Sequence, residues 1–507
     1  MVKLPQFTRT QWLTLVVFSI ADFCNAICVS LQAPFYPLEA EKKGASATEY
    51  GLVFGVFELV VFIISPIYGQ HLNRIGPKFL FNGGIFTTGV CAILFGLLDK
   101  VHGHYPFIVL SFLIRIIEAM GNAAFLTASF AIIAKEFPDN VATTFASLET
   151  FFGLGLIVGP TVGGALYQIG GYTTPFAVLG SALFLSAIMT AFVLPDHGGD
   201  VSEPSPAASL WQVLKIPGVL LAAASIIVTS TSIGFLSATL EPHLRHAGYE
   251  LTPVVLGLMF VINGGTYALT APCWGMLCDR VMVPKVATIL GCLLIMVGFS
   301  LVGPAPFIPA KTVLSMTAVG LVLHGLGIAA QLVASFTDAL RTSIAHGFPN
   351  NLETYGLISG LWTSTFALGA FIGPSVGGFL LEHVGFSYGS LFVVGLNAVV
   401  CVMVMVFLCL VRRRSQYKEV QNEEDLKQLS YTLSSDQAHS NGYGSSNGHA
   451  HPCAIERPPG MNGIIATNSY KNRHGTWHRK EAGAVLIGPY STSYGSLESR
   501  GFLSSVK

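Results

Sequence analysis

Long runs of apolar residues, separated by short polar or charged loops, make up most of this chain. An apolar run of about twenty residues is long enough to cross the roughly 30 Å hydrocarbon core of a bilayer as a helix. The pattern predicts twelve such spans, numbered here in chain order. They lie near residues 11–35, 50–70, 78–98, 105–134, 143–168, 174–195, 215–240, 252–277, 285–304, 311–340, 352–381 and 387–411.

Lys and Arg predict the orientation, because cytoplasmic loops of membrane proteins are enriched in both. The richer set of loops carries Lys3, Arg9, Arg74, Lys78, Lys135, Lys215, Arg280, Lys285, Arg341, Arg412, Arg413, Arg414 and Lys418. The other set carries Lys42, Lys43, Lys100, Arg245 and Lys311. The apolar run behind MVKLPQFTRT is too long for a removable signal peptide, so we interpret it as span 1. Both termini are therefore predicted to be cytoplasmic.

Composition agrees with a membrane protein: 52% of the 507 residues are apolar and 11% are charged, against about 25% charged in soluble domains. A net charge of zero gives no field that points to nucleic acid. The nine cysteines are scattered without a zinc-ligand spacing, so we predict neither a metal site nor a cofactor. Zinc-ligand helices, nucleophile elbows and P-loops are missing from the sequence, and an enzyme is not expected.

The chain repeats itself. GLGLIVGPTVGG at 153–164 returns as ALGAFIGPSVGG at 367–378, PIYG at 66–69 as PCWG at 272–275, and FPDN at 137–140 as FPNN at 348–351. Duplicated six-helix units are typical of transporters that bind substrate near the midplane, between two halves. The predicted fold is an all-α polytopic membrane protein of twelve transmembrane helices. Its predicted parts are a first half (1–195), a cytoplasmic linker (196–214), a second half (215–411) and a disordered cytoplasmic tail (412–507).

The predicted tail is rich in Ser, Gly, Asn and His and cannot bury enough apolar surface to fold. YGSL at 494–497 fits a tyrosine-based sorting signal, which predicts trafficking adaptors as partners and a shift to the cell surface in Tyr494→Ala. His449, His451 and Cys453 form a short metal-ligand-like cluster without a second cluster to complete it.

Three motifs resemble the major facilitator superfamily. GQHLNRIGPK from Gly69 to Lys78 is similar to its loop signature after span 2, GMLCDR from Gly275 to Arg280 to the degenerate copy after span 8, and GLIVGPTVGG to the span 5 signature of antiporters. The first loop departs from the family at Asn73, where Asp is usual, and at Pro77, where a basic residue is usual. The resemblance implies alternating access, with gating residues Gly69, Arg74, Gly76, Gly275, Asp279 and Arg280.

A narrower resemblance, over residues 11–411, is to the vesicular amine transporters and their polyamine branch. QAPFYPLEAEKKGAS at 32–46, NVAT at 140–143, SLET at 147–150 and LIVGP at 156–160 carry it. The long glycosylated loop of the monoamine and acetylcholine branches shrinks here to about a dozen residues, and the chain has no N-x-S/T sequon.

Small residues four apart mark close helix contacts in membranes. Spans 5 and 11 of the family's fold lie between the halves, so the repeated glycines are predicted to form two kinked surfaces on which the halves rock. Tight packing alone is the alternative. The predicted gating residues of this set are Gly155, Gly159, Pro160, Gly163, Gly164, Gly373 and Pro374, with Gly369 and Gly377 on the same face of span 11.

Ionisable groups inside a membrane are expensive, so each is a functional hypothesis. The residues predicted to bind substrate are Asp22, Asn25, Glu58, Glu149 and Trp362. Those predicted to couple protons are Arg115, Glu118 and Asp338; RIIEAMG at 115–121 resembles the span 4 signature of proton-coupled members. The alternatives are a structural Arg115–Glu118 pair, an interfacial Asp338–Arg341 salt bridge, packing roles for Trp362, Tyr36, Tyr68 and Tyr267, and a core role for His324.

Carboxylates outnumber cations in the predicted bundle, which favours a cationic substrate. A carboxylate in low dielectric can hold either a proton or an ammonium group, and this exclusion is sufficient for exchange. Together with the resemblance, it predicts a proton-coupled antiporter that loads polyamines such as spermine and spermidine, or related organic cations, into acidic vesicles. The alternatives are a multidrug or monoamine antiporter of the plasma membrane or vesicles, and a non-transporting membrane receptor.

Overall fold

The computed structural model describes residues 7–193, 209–249, 253–309, 311–411, 469–471 and 477–479. Residues 7–410 belong to one compact helical unit. The remaining described residues include two antiparallel strands, β1 (Ser469–Lys471) and β2 (Trp477–Arg479), which the prediction of a disordered tail did not include. The sorting signal, the His449–Cys453 cluster and most of the predicted linker lie outside the described residues.

Twelve long helices are described, as many as the predicted spans. The first six are α1 (Arg9–Lys42), α2 (Ala47–Ile75), α3 (Pro77–Gly96), α4 (His104–Glu136), α5 (Val141–Gly170) and α6 (Thr173–Val193). The second six are α7 (Pro217–His246), α8 (Pro253–Arg280), α9 (Pro284–Val302), α10 (Leu314–Ala345), α11 (Leu352–Val384) and α12 (Phe386–Val411). A 3₁₀ turn (Leu98–Lys100) follows α3, and a short helix (Leu210–Leu214) precedes α7.

Eleven of these helices are long and apolar enough to cross a membrane. The other, α8, has 28 residues, or about 42 Å at 1.5 Å per residue, which also exceeds the hydrocarbon thickness. Large apolar side chains such as Leu52, Phe79 and Leu269 lie exposed on the outer faces of the helices. These faces have the chemistry of a lipid-facing surface, and they confirm a polytopic helical membrane protein.

Local sequence fixes where the helices begin. Thr8 and Ser46 form capping boxes with Gln11 and Glu49, and Asn351 accepts a hydrogen bond from the Thr354 amide at 3.1 Å. Such side chains satisfy amide groups that have no partner within the helix. Proline stands at the first position of α3, α7 and α9, where its missing amide hydrogen is harmless. We name the two ends of the bundle after α1: the Arg9 end, predicted cytoplasmic, and the Lys43 end, predicted lumenal.

The two halves meet through α2 against α11 and α5 against α8. Glycines of the PIYG and PCWG repeats lie at these two crossings. A Cβ on Gly275 would lie 2.6 Å from the carbonyl oxygen of Ala142 on α5, and a Cβ on Gly69 would lie 3.1 Å from the Cα of Gly360 on α11. Only a residue without a side chain permits backbones this close. The contact between halves is therefore built on Gly69 and Gly275.

The glycines of the longer repeat lie elsewhere, and the rocking-surface prediction for them is wrong. Gly155 and Gly159 face α1, where a Cβ on Gly155 would lie 2.6 Å from the Ala26 Cβ. Gly373 faces α7 in the same way, since a Cβ on Gly373 would lie 2.8 Å from the Phe235 amide nitrogen. Gly163 and Gly377 also face α1 and α7, and a Cβ on Gly164 would meet nothing within 4 Å.

Helical geometry explains the error. Thr150, which donates to the Ala268 carbonyl of α8 at 2.7 Å, and Gly153 mark the face of α5 toward the other half. Gly155 and Gly159 lie on nearly the opposite face, because 3.6 residues complete a turn. The repeat therefore binds α5 to α1, and α11 to α7, inside each half. Pro374 follows this pattern and packs against Gly234 of α7; α5 continues as a helix through Pro160.

Substitution at Gly159 should therefore reduce folding stability. Gly159→Val places a branched side chain against the Ile27 backbone of α1, and overpacking of this kind costs about 1–3 kcal/mol. Gly164→Val is the matched control, since a Cβ there has open space. Thermal unfolding of the two purified variants checks this expectation. Equal melting temperatures for Gly159→Val and wild type would contradict the assigned contact.

Candidate functional site

Two carboxylates and a tyrosine meet near the middle of the bundle. Asp22 of α1 is 1% exposed, and among the described residues neither of its carboxylate oxygens has a hydrogen-bond partner. Glu149 of α5 is also buried and accepts a hydrogen bond from the Tyr267 hydroxyl of α8. Asp22 interacts electrostatically with both Glu149 and Tyr267. We call Asp22, Glu149 and Tyr267 the carboxylate cluster.

The carboxylate cluster joins the two halves of the fold, since Tyr267 belongs to the second half and the acids to the first. A buried, unpaired negative charge is strongly unfavourable, so the cluster requires neutralisation by a proton or by a cationic ligand. Either occupant would neutralise the charge that strengthens the hydrogen bond from Tyr267 to Glu149. The arrangement thus links the occupancy of the site to a contact between the halves.

A second set of polar contacts runs between α1 and α4. Asn25 donates to Asn122 at 2.8 Å, and the Gln32 amide donates to both Glu118 oxygens at 2.6 and 2.9 Å. Arg115 pairs with Glu118 at 3.0 Å. We call these contacts the α1–α4 polar seam. Asn25 and Glu118 are thus engaged inside the first half, which favours the structural alternative for the Arg115–Glu118 pair.

Glu58 of α2 lies beside this seam. It is half-buried and interacts electrostatically with Arg115, whose guanidinium lies 4.1 Å from the centre of the Phe57 ring. Stacking on an aromatic face stabilises a desolvated cation. Because Arg115 is already paired with Glu118, the Glu58 carboxylate is the acid beside this seam that a further cation can contact.

Asp338 has a partner that the sequence analysis did not assign. It forms an ion pair with Lys285 of α9, whose side chain is 2% exposed and also lies over the Phe407 ring at 5.0 Å. The alternative of an interfacial Asp338–Arg341 salt bridge is therefore wrong, since Arg341 pairs with Asp279. The sequence analysis places Lys285 in a loop, whereas the structure buries it in the α9–α10 contact as the second residue of α9.

Trp362 packs in an aromatic cluster near the Arg9 end. Its ring meets Phe130 and Phe145 edge-on at 5.1 and 5.2 Å, and Phe145 stacks on Phe336 at 4.3 Å. Phe130 and Phe145 come from the first half, and Phe336 and Trp362 from the second. With 4% exposure, Trp362 fills the space between halves. These contacts favour a packing role for Trp362 over a cation–π contact with substrate.

Asp279 ties the halves together at the Arg9 end. One of its oxygens accepts from Arg341 at 3.0 Å, and the other accepts from the amide and hydroxyl of Thr143, both at 2.8 Å. Thr143 lies in the first turn of α5, where a carboxylate is favoured by exposed amides and by the helix dipole. We call this set of bonds the Asp279 latch.

The corresponding first-half position is Asn73, which is exposed and carries no charge. Arg74 and Arg280 are also exposed at the Arg9 end, and Gly76 ends α2 with a φ of +94° that favours glycine. The second copy of the loop signature thus supplies the charged contact between halves, as the departure at Asn73 suggests.

Loss of the Asp279 latch should open the Arg9 end. Cys278 is buried beside it and its carbonyl oxygen accepts from Arg341 at 2.9 Å. We expect Asp279→Asn to increase maleimide labelling of Cys278, quantified by peptide mass spectrometry. Arg341→Gln should do the same, although removing a nearby positive charge would by itself slow a thiolate reaction. Arg280→Gln is the control. Unchanged labelling in both latch variants would contradict this role.

His324 is a core residue, which is the role that the sequence analysis gives as its alternative. It is fully buried, and its two ring nitrogens lie 3.0 Å from the Ser232 hydroxyl and 2.9 Å from the Asn263 amide nitrogen. A histidine with both nitrogens engaged is held in one orientation by α7 and α8.

Comparison with known proteins identifies the family. The model described as Major Facilitator Superfamily matches residues 18–343 and 244–441. The human protein named MFS-type transporter SLC18B1 is 38% identical over 423 residues, which cover 82% of this chain and 91% of that protein. The human synaptic vesicular amine transporter is 27% identical over 345 residues, 67% of this chain and 63% of its own length.

A solved structure supports the same fold. The crystal structure of the human organic anion transporter MFSD10 (TETRAN) matches with a TM-score of 0.58 and 17% identity, over 78% of this chain and 99% of that one. At this identity the likeness concerns the fold alone. The family match and the 38% identity over most of both chains go further, and together they show that the chain belongs to the Major Facilitator Superfamily, as a relative of SLC18B1 and the vesicular amine transporters.

Proposed function

We propose that the protein is a proton-coupled antiporter of polyamines, or of related organic cations, that loads acidic vesicles by alternating access. The observation that carries this proposal is the carboxylate cluster, in which Asp22 is buried without a hydrogen-bond partner among the described residues. The names of its relatives, a vesicular amine transporter among them, support an amine as substrate.

Exchange follows from competition for the carboxylate cluster. A proton and an ammonium group neutralise the same charge, so binding of one releases the other. At an acidic face the cluster takes up a proton and loses the amine; at a neutral face the reverse occurs. In the described conformation the aromatic cluster and the Asp279 latch close the Arg9 end, so the halves must separate there before an amine enters from that side.

A polyamine needs more than one negative contact. Asp22 and Glu149 provide one pair of acids, and half-buried Glu58 provides a further carboxylate on α2. Glu118 is less suited to a substrate contact, because Gln32 and Arg115 already occupy it. We therefore assign substrate contacts to Asp22, Glu149 and Glu58, and a structural role to Glu118 within the polar seam.

A monoamine or multidrug antiporter is the second candidate. Asp22, which has no hydrogen-bond partner among the described residues, is sufficient by itself for one ammonium group, and this observation favours a substrate with one charge. The two candidates differ in their dependence on Glu58, which only a long polyvalent cation requires.

Reconstitution tests the proposal. Purified protein in proteoliposomes with an acidic interior should accumulate radiolabelled spermine or spermidine, and nigericin should abolish the accumulation. Serotonin and acetylcholine are run in parallel. Glu58→Gln should reduce polyamine uptake and spare serotonin uptake. Accumulation of none of these amines, or accumulation that is indifferent to the pH gradient, would refute proton-coupled amine transport.

A vesicular membrane with both termini cytoplasmic is part of the proposal. The Lys and Arg distribution supports this orientation, which places the Lys43 end in the lumen, and trafficking adaptors are proposed partners of the YGSL sequence. Under this orientation the proton must reach the carboxylate cluster from the Lys43 end.

A further inference from the structure

One face of α1 carries a row of buried polar residues. Asp22, Asn25, Gln32, Tyr36 and Glu39 follow one another at spacings of three, four or seven, which place them on a single helix face. All five are buried. From Asp22 to Glu39 the row rises about 25 Å, at about 1.5 Å per residue. It thus extends from the carboxylate cluster to the Lys43 end.

A matching row on α4 faces it in antiparallel order. Asn25 meets Asn122, Gln32 meets Glu118, and Tyr36 has the hydroxyl of Ser111 beside it. Ser111 itself donates to the Phe107 carbonyl at 2.8 Å. The α1–α4 polar seam is therefore longer than the three contacts that define it, and it continues toward the Lys43 end.

Beyond Tyr36 the polar groups continue at the Lys43 end. Tyr172, which precedes α6, interacts electrostatically with Tyr36, Glu39, Asp99 and Glu118. Asp99 accepts from the Thr173 hydroxyl at 2.9 Å, and its carbonyl accepts from Lys43 at 2.7 Å. Acids at this end are thus near both buried tyrosines.

Several atoms in this region have unused hydrogen-bonding capacity. Within the described part of the chain, no partner of good geometry is found for the atoms Asn25 Oδ1, Gln32 Oε1, Arg115 Nε, Tyr36 Oη, Tyr172 Oη and Asp99 Oδ1. Each buried polar atom left unpaired costs about 1–3 kcal/mol. Proteins usually satisfy such groups with ordered water that bridges two or more of them.

We propose that the α1–α4 polar seam, extended through Tyr36 and Tyr172, binds a file of water that conducts protons between the Lys43 end and Asp22. This inference rests on the proposed proton coupling and adds its route. A proton taken up at Glu39 or Asp99 passes through the tyrosine hydroxyls, each of which releases its own proton as it accepts another. At Asp22 the arriving proton takes the place of the departing ammonium.

The groups that face this route come from every element packed around it. They are Cys28, Tyr36, Glu39, Lys42 and Lys43 of the α1 end, Glu49 and Glu58 of α2, Cys91 of α3, Asp99 of the 3₁₀ turn, Arg115 and Glu118 of α4, and Tyr172. Lys42 and Lys43 pair with Glu39 at the Lys43 end, and Arg115 lies midway along the route. Glu118 and Phe57 hold the Arg115 guanidinium in place, and its positive charge repels an excess proton midway along the route. Protons therefore pass by relay and do not accumulate there.

Paired flux measurements test the route. Tyr36→Phe and Tyr172→Phe remove only a hydroxyl, and Tyr355→Phe is the matched control at a buried tyrosine of the second half. In proteoliposomes, pH-driven uptake of radiolabelled spermidine or serotonin requires proton transfer, whereas amine–amine counterflow at equal pH does not. Both route variants should lose pH-driven uptake by about tenfold and retain counterflow, while Tyr355→Phe should match wild type.

Two outcomes would overturn the route. Wild-type uptake in both route variants would show that the tyrosine hydroxyls carry no protons, and equal loss of uptake and counterflow would show that they serve folding or substrate binding. Failure of the proposed function is distinguishable from either, because wild-type uptake would then ignore the pH gradient.

Discussion

Asp22→Asn should end pH-driven accumulation of a monoamine and weaken polyamine transport while the protein stays folded. The substitution removes both the charge and the titrating proton but keeps the size and a polar oxygen. Losing one of several charged contacts costs about 1.5–3 kcal/mol of binding free energy. Polyamine affinity should therefore weaken very roughly ten- to a hundredfold. Uptake of spermine, spermidine and serotonin at matched expression measures the effect.

Asp139→Asn is the matched control for this experiment, because Asp139 is exposed in the loop between α4 and α5. Glu149→Gln should resemble Asp22→Asn, and the double variant should weaken polyamine transport further than either single one, since it removes both acids of the pair. Wild-type kinetics of Asp22→Asn for every amine would make Asp22 structural and shift the binding assignment to Glu58 and Glu149.

Lys285→Met should reduce folding stability more than any other change considered. It leaves the Asp338 carboxylate buried without its partner, and breaking a buried ion pair in this way costs about 3–5 kcal/mol. The double variant Lys285→Met/Asp338→Leu should recover most of the loss, because it removes both charges and keeps apolar volume. Thermal unfolding in detergent compares the single variant, the double variant and wild type.

The same double variant decides between the two interpretations of Asp338. If the pair only joins α9 to α10, the recovered protein still couples amine uptake to the pH gradient. A stable double variant that has lost coupling while counterflow persists would return Asp338 to the proton-coupling residues predicted from sequence.

Most of the fold could be predicted from sequence because apolar runs of membrane length leave few alternatives to a helix. Span 11, predicted at 352–381, is observed at Leu352–Val384, and span 4, predicted at 105–134, at His104–Glu136. The largest difference is in span 1, predicted to end at 35, where α1 continues to Lys42. Its extra residues include Glu39, Glu41 and Lys42, so the apolar run stops short of the helix end.

The sequence could not predict which residues pair across the fold. Lys285 lies 53 positions from Asp338, and Asn25 lies 97 positions from Asn122; spacing within one helix says nothing about such pairs. Likewise, the four-residue spacing of Gly155 and Gly159 predicts a close contact but not which helix supplies it. The polar row on α1 was within reach, because its spacing of seven, four and three residues from Asn25 to Glu39 is visible once the helix is known to be longer.

Competition between protons and amine at the carboxylate cluster is the central claim, and proton release on amine binding measures it most directly. Spermidine is added to purified wild-type protein in weakly buffered detergent solution at neutral pH, and a pH-sensitive dye follows the protons. The account predicts release of protons on binding, weaker affinity as the pH falls, and no release from Asp22→Asn/Glu149→Gln. Spermidine binding with no proton release, at an affinity independent of pH, would contradict it.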